Sequence, residues 1–172
     1  MRILLAMALT LALPSGLLAA GGDGSAPQKP KCKDGQVYDK KIKRCVAAEE
    51  SSLETDTLYE TVRELAYAGR YVDARTVLAA MPQDDDRMLT YLGFTNRKMG
   101  RADVAMGYYM QALAVNPANI LAQSYMGQGL VEKAKIADAL VQLRAIRDHG
   151  GNGSWVEGSL RTAIATGQTY NY

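Results

Sequence analysis

The stretch "GRADVAMGYYMQALAVNP", Gly100 to Pro117, sets small and aromatic residues on a ladder: Gly100, Ala105, Tyr109, Ala112 and Pro117 fall five, four, three and five residues apart. Steps of three and four keep Ala105, Tyr109 and Ala112 on one face of a helix. Asn116-Pro117 ends that helix, because proline lacks an amide hydrogen and restricts the residue before it. The ladder recurs on both sides. Gly69, Ala74 and Leu78 repeat its offsets, and so do Ala134, Ala139 and Leu143, with alanine in the glycine's place. Leu92-Gly93 and Met126-Gly127 lie 34 residues apart, and Gly69-Arg70 and Gly100-Arg101 lie 31 apart. Spacings of this size mark an internal repeat.

The rest of the chain from Asp56 onward fits such an array. "DTLYETVRELAYAG" opens with Asp56 or Thr57 as N-cap and Glu60 placed for a capping box, and it ends at Gly69. "YVDARTVLAAM" stops before Pro82, and Asp84-Asp85-Asp86 supplies capping oxygens and negative charge for the next helix start. "RMLTYLGFTNRKM" runs to Gly100, while "NILAQSYMGQGLVEKA" and "IADALVQLRAIRD" form a further pair before the loop "HGGNG". Ser154 and Glu157 form a second capping box, opening a last helix that ends at Gly167. Seven helices with short connections predict an all-α array.

This pattern resembles the tetratricopeptide repeat, a helix–turn–helix unit of about 34 residues. The middle copy, 86–119, carries the closest likeness. There Leu92-Gly93 matches the family's Leu-Gly, Gly100 the turn glycine, Ala105 the small residue, Tyr109 the aromatic, Ala112 the second alanine and Pro117 the terminal proline. The first copy has Thr61-Val62 in place of Leu-Gly, the third lacks the turn glycine and the closing proline, and Asn96 stands where an aromatic is usual. The resemblance implies three tetratricopeptide-like repeats over 55–150 (55–85, 86–119 and 120–150). They would stack as antiparallel helix pairs in a right-handed solenoid, and a helix over 153–168 would cap the last pair. Trp155, Leu160 and Ile164 are the packing residues expected of that cap. Gly93 and Ala105 would let two helices approach closely, and Tyr109 would fill the gap against the next pair.

Upstream of the array the chain changes character. Met1-Arg2 precedes "ILLAMALTLALPSGLLAA", a basic start followed by a short apolar run and small residues, the build of a secretory signal peptide over 1–21. Ile3 to Leu13 is too short for a helix spanning a bilayer. The mature protein is therefore expected to be exported, periplasmic or secreted, and soluble. "GGDGSAPQKP" reads as a flexible linker, assigned to 22–31. In an oxidising compartment Cys32 and Cys45 pair most simply with each other, closing a hairpin over 32–46. Val37-Tyr38 and Ile42 are its expected strands, around a turn at Asp39 to Lys41. Lys40, Lys41, Lys43 and Arg44 make the hairpin basic. They serve either as a solvated face or as a contact for an anionic polymer or lipid.

Catalysis finds little material. Lys+Arg of 20 against Asp+Glu of 18 gives no nucleic-acid footprint. His149 is the only histidine and sits at a helix end. No phosphate-binding glycine loop, nucleophile elbow or metal-ligand motif is present, so neither an enzyme nor a cofactor is expected. The resemblance implies binding instead. In that family the first helices of successive repeats line a groove for peptides or extended segments. The groove positions here are Tyr59, Arg63 and Tyr67, then Thr90, Phe94, Arg97 and Lys98, then Ser124, Gln128 and Glu132. Arg63 and Arg97 are placed to fork onto a carboxylate. Tyr59 and Phe94 serve equally well as core between repeats. The expected function is an exported adaptor holding a protein or peptide partner in the cell envelope. The competing one is an envelope module that binds an anionic surface through its hairpin and self-assembles through its repeats.

Overall fold

The computed structural model describes residues 31–33, 35–49 and 53–170. The expected signal peptide, and all of the linker except Lys31, lie outside the described residues. A two-stranded antiparallel hairpin, β1 (Val37–Asp39) and β2 (Arg44–Val46), comes first. Seven α-helices follow among the described residues: α1 (Thr55–Tyr67), α2 (Tyr71–Ala79), α3 (Asp86–Lys98), α4 (Ala102–Val115), α5 (Ile120–Glu132), α6 (Ile136–Ile146) and α7 (Trp155–Thr166). Successive helices pack as antiparallel pairs, α1 with α2, α3 with α4 and α5 with α6, and α7 lies against the last pair. The architecture is all-α and tetratricopeptide-like, with a small disulfide-closed hairpin in front.

The hairpin differs in register from the expectation. Asp39 ends β1 and its Oδ1 accepts from the amides of Lys41 (2.7 Å) and Ile42 (3.3 Å), so the turn begins one residue later than expected. Ile42 therefore sits in the turn, 49% exposed, and Cys45 rather than Ile42 lies in β2, opposite Tyr38. Cys32 and Cys45 form the expected disulfide, with their Cα atoms 5.7 Å apart. The hairpin is also docked. Val37 is fully buried in the main core cluster, and Arg70 Nη1 donates to the Cys32 carbonyl at 2.9 Å. Lys40 pairs with Glu60 (3.2 Å) and Lys41 with Glu54 (3.1 Å). It covers the outer side of the first helix pair, as a terminal unit of a repeat stack must.

The start of α1 also differs. Glu54, not Asp56 or Thr57, is the N-cap, and its side chain makes no capping bond. The carboxylates offered for a capping box go elsewhere: Asp56 accepts from Arg87 at 2.8 Å, and Glu60 pairs with Lys40. The later caps form as the sequence predicts. Asp85 Oδ1 accepts from the amides of Arg87 and Met88 at the start of α3. Ser154 Oγ accepts from the Glu157 amide at 3.2 Å, while Glu157 reaches back to the Gly153 amide at 2.8 Å.

Glycine sets the spacing inside the pairs. A methyl group at Gly93 would overlap the Tyr109 ring. Tyr109 thus packs onto Gly93 within its own pair, rather than filling a gap towards the next one. At Gly127 the same vacancy receives Leu160 of the cap, whose Cδ2 would lie 2.6 Å from an added Cβ. Leu160 and Val156 are buried in the cap, but Trp155 is 53% exposed and does not act as a packing anchor. Ser154 as N-cap places Trp155 at the first helical position, where it points away from the seam that Val156 and Leu160 enter four residues apart.

The turn between the helices of each pair is the same in all three copies. Gly69, Gly100 and Ala134 each take positive φ, at 75°, 78° and 57°. The following amides of Arg70, Arg101 and Lys135 bond to Leu65, Asn96 and Leu130 at 2.9 Å in each case. These are Schellman-type endings, which need a left-handed residue. Ala134 adopts that conformation without glycine's freedom.

Candidate functional site

The first helices of the pairs, α1, α3 and α5, present one side-chain face to one another, and its floor is aromatic. Tyr67 of α1 reaches across to Tyr91 of α3, with hydroxyls 2.7 Å apart, and to Tyr125 of α5 at 3.1 Å. Phe94 lies between them, its ring centroid 4.7 Å from Tyr125 and edge-on to Tyr67 at 6.2 Å. Tyr59 meets Tyr91 edge-on at 5.7 Å. Such offset and edge-on contacts are the preferred aromatic geometry and add to the stabilisation from burial alone. Burial pushes the hydroxyl pKa of Tyr91 and Tyr125 well above the ordinary tyrosine range, and neighbouring tyrosines add to the effect.

Cations surround this floor. Arg63 is exposed and stacks over the rings of Tyr59 (5.8 Å) and Tyr67 (5.9 Å). Arg87 lies 4.8 Å over Tyr59, held by Asp85 and Asp56. At the other end, Lys98 Nζ stands 5.6 Å over Phe94. Partial burial and the nearby Arg97 charge bring Lys98 down to about 8. An open cleft of about 300 Å³ follows the starts of α3 and α5, lined by Tyr59, Asp86, Arg87, Thr90, Asn119 and Leu121 among others.

The expected groove residues fall into three groups. Tyr59, Arg63, Tyr67 and Lys98 reach solvent from the inner face. Thr90, Phe94 and Arg97 are buried in the seam between α3 and its neighbours: Thr90 receives a hydrogen bond from Asn119 at 3.0 Å, Phe94 is only 1% exposed, and Arg97 pairs with Glu132. The Arg97 fork is thereby engaged inside the chain. Ser124 and Gln128 are buried, and Ser124 Oγ donates to the Val156 carbonyl of the cap at 3.1 Å. The cap occupies the position a fourth repeat's first helix would take, so it covers Ser124 and Gln128 on α5 as α5 covers Thr90 and Phe94 on α3.

Tyr91 and Tyr125 were not among the expected residues, yet they build the floor. The signal was present: they lie 34 residues apart, the same interval as Gly93 and Gly127. They follow the repeat period, each one residue after an expected groove position, Thr90 and Ser124.

The arrangement suits binding. Among the described residues, no group of three or more His, Cys, Asp or Glu side chains is placed to hold a metal ion, and no helix is long and apolar enough to cross a membrane. His149 contacts Gln123, Nδ1 to Nε2 at 2.9 Å, beside the turn that follows α6.

No protein-family model and no curated protein matches the chain. Solved structures do resemble it. The type III secretion translocator chaperone SycD of Yersinia enterocolitica is similar at a TM-score of 0.55 and 20% identity, over 66% of this chain and 84% of SycD. SycD in complex with a peptide of the translocator YopD is similar at a TM-score of 0.53 and 22% identity, over 64% of this chain and 86% of that one. An alternative dimer of SycD gives a TM-score of 0.55 and 21% identity, over 67% and 91%. At this identity the likeness concerns the fold: a stack of tetratricopeptide-like helix pairs.

Proposed function

We propose that this chain is an exported, non-enzymatic adaptor that holds an extended segment of a protein partner along the inner face of α1, α3 and α5. The observation that carries the reading is the arrangement of Arg63 on Tyr59 and Tyr67, solvent-facing and one helix turn apart, above a buried aromatic floor. Aromatic rings with a guanidinium laid on them offer apolar contact and donors at small entropic cost, the composition of binding hot spots. Tyr59, Arg63, Tyr67 and Lys98 make the contact in this reading. Thr90, Phe94 and Arg97 hold α3 in place beneath it, and Ser124 and Gln128 do the same for α5. That a structure of similar fold is a complex with a peptide supports the choice of a peptide-like partner.

The leader-like N-terminus and the Cys32–Cys45 disulfide support an oxidising location in the cell envelope, since disulfides persist in such compartments. The alternative is anionic-surface binding through the hairpin, where Lys40 and Lys41 pair with Glu60 and Glu54 at the surface while Lys43 and Arg44 are exposed.

A photo-crosslinking residue at position 63, introduced in the native host, tests the reading. The expected result is one partner protein captured at Arg63 and not at a control position, Lys41. That partner should bind the Tyr59→Ala, Arg63→Ala double variant at least tenfold more weakly than the parent. Capture at Lys41 alone, or of the protein's own chain alone, would overturn it.

A further inference from the structure

The chain does not stop at its cap. Gly167 takes a left-handed conformation, φ +73°, and its amide bonds back to the Ala163 carbonyl at 2.8 Å, closing α7. Gln168, Thr169 and Tyr170 then leave the helix in irregular conformation and return towards the inner helices. Thr169 Oγ1 donates to Glu132 Oε1 at 2.6 Å, and Lys98 Nζ donates to the Tyr170 carbonyl at 2.8 Å. Glu132 is the last residue of α5 and Lys98 the last of α3. Three residues therefore run from the cap across the ends of two inner helices, to the lysine that stands over Phe94.

These contacts have the character of recognition. A cation takes a backbone carbonyl and a carboxylate takes a side-chain hydroxyl, the way a groove reads an extended peptide. They add little to the core, since α7 is already closed and Tyr170 is 41% exposed. The acceptor is also in place before the tail arrives, because the same Glu132 oxygen is held by the buried Arg97. A site oriented by the fold loses less entropy when it is filled.

We infer that the C-terminal segment is the intramolecular occupant of this end of the inner face, and that a partner peptide reaching Lys98 and Glu132 displaces it. The fitting peptide is extended and carries a Thr or Ser hydroxyl one residue before the carbonyl that Lys98 takes. The inference rests on the inner face being the peptide site and adds to it a competitor that lowers apparent affinity. A tethered segment of this kind acts at an effective concentration in the millimolar range, so a tail whose own affinity for the site is about 0.1–0.5 mM keeps the end occupied most of the time. With the competent fraction reduced accordingly, removing the tail should tighten binding about three- to tenfold.

Two measurements on the mature chain test this. In the first, backbone relaxation of the ¹⁵N-labelled protein is expected to show Thr169 and Tyr170 ordered like α7, with Thr169→Val and Lys98→Met each releasing them. Free-tail mobility in the parent overturns the inference, whatever position 63 captures. In the second, a fluorescein-labelled peptide with the sequence Gly167–Tyr172 is titrated into the full chain and into a chain ending at Gly167. Binding at least threefold tighter to the shortened chain, lost with a Thr169→Val peptide, is the expected result. Equal affinity for both chains, or no binding to the shortened one, overturns it. Crosslinking at Arg63 reads the groove independently, so failure of the tail and failure of the groove are separable.

Discussion

The hydroxyls of Tyr67 and Tyr125 lie 3.1 Å apart although 58 residues separate them, so the first and third helix pairs touch across the second. Tyr67 bonds Tyr91 with the same oxygen. One residue of α1 therefore fastens the inner helices of all three pairs, and the floor of the inner face is shared core. In a repeat stack, stability is otherwise a sum of nearest-neighbour terms. Tyr67→Phe keeps the ring and removes the hydroxyl that joins the three. It should destabilise the fold by about 1–3 kcal/mol, the range for a buried hydrogen-bonding group losing its partner. The loss should appear in urea unfolding as a lower midpoint with an unchanged slope.

Stability should change with alkaline pH in two opposed steps. Lys98 titrates at about 8 in the folded chain against an ordinary 10.5, chiefly through burial, so the unfolded chain binds the proton more tightly. The cost of its charge is fully present below pH 8 and disappears as pH rises from there towards 10.5, so this contribution raises stability with pH. Tyr91 and Tyr125 work the other way. Burial raises both above their ordinary 10.0, so what they contribute is complete below pH 10 and lost above it. Denaturant melts of the parent minus those of Lys98→Met should show a difference that grows in the parent's favour from pH 8 to 10. A flat difference would mean that Lys98 is no more buried folded than unfolded.

Gly93 is where the middle pair packs a ring directly against the backbone of α3. Its missing side chain is filled by the Tyr109 ring, which is itself fully buried, with burial holding its hydroxyl at about 12. Gly93→Ala should cost about 1–3 kcal/mol despite alanine's better helix propensity, because a packed ring has nowhere to move. The double variant Gly93→Ala, Tyr109→Leu should recover part of the loss. No recovery in thermal unfolding would show that the strain lies in the backbone and not in the ring.

The fold was legible because its determinants recur. Leu92-Gly93, Gly100, Ala105 and Pro117 each had a partner or a flanking break at repeat spacing, and packing in helix pairs is local. The inner face was less legible because the same helix positions that line it also form the seam to the next helix in the stack. With three pairs and a cap, Ser124 and Gln128 end up under α7, and Phe94 is enclosed by Tyr67, Tyr71 and Tyr125. Thr90 and Ser124, like Phe94 and Gln128, lie 34 residues apart and all four are buried, so burial follows the repeat position but shows only once the pairs are stacked. Hairpin docking was equally hidden. Lys40 and Lys41 read as free basic residues until Glu60 and Glu54, on and beside α1, come alongside them.

Ala134 offers the sharpest test of the repeat itself. It holds the left-handed position that glycine holds at Gly69 and Gly100, with φ of 57° and the same hydrogen bond from the residue after it to the end of the first helix. A non-glycine residue there costs about 1–2 kcal/mol, against about 0.5–1 kcal/mol for the extra freedom glycine loses on folding. Ala134→Gly should therefore stabilise the chain by roughly 0.5–1 kcal/mol, the balance of those two costs. Gly100→Ala should destabilise it by a similar amount, and both should shift the thermal midpoint by a few degrees in opposite directions. Opposite shifts would establish that the third turn is the same turn as the other two, kept in register by tertiary packing against local preference. If Ala134→Gly lowers the midpoint instead, the third pair owes its ending to contacts of the Ala134 methyl group, and its place in the repeat series falls.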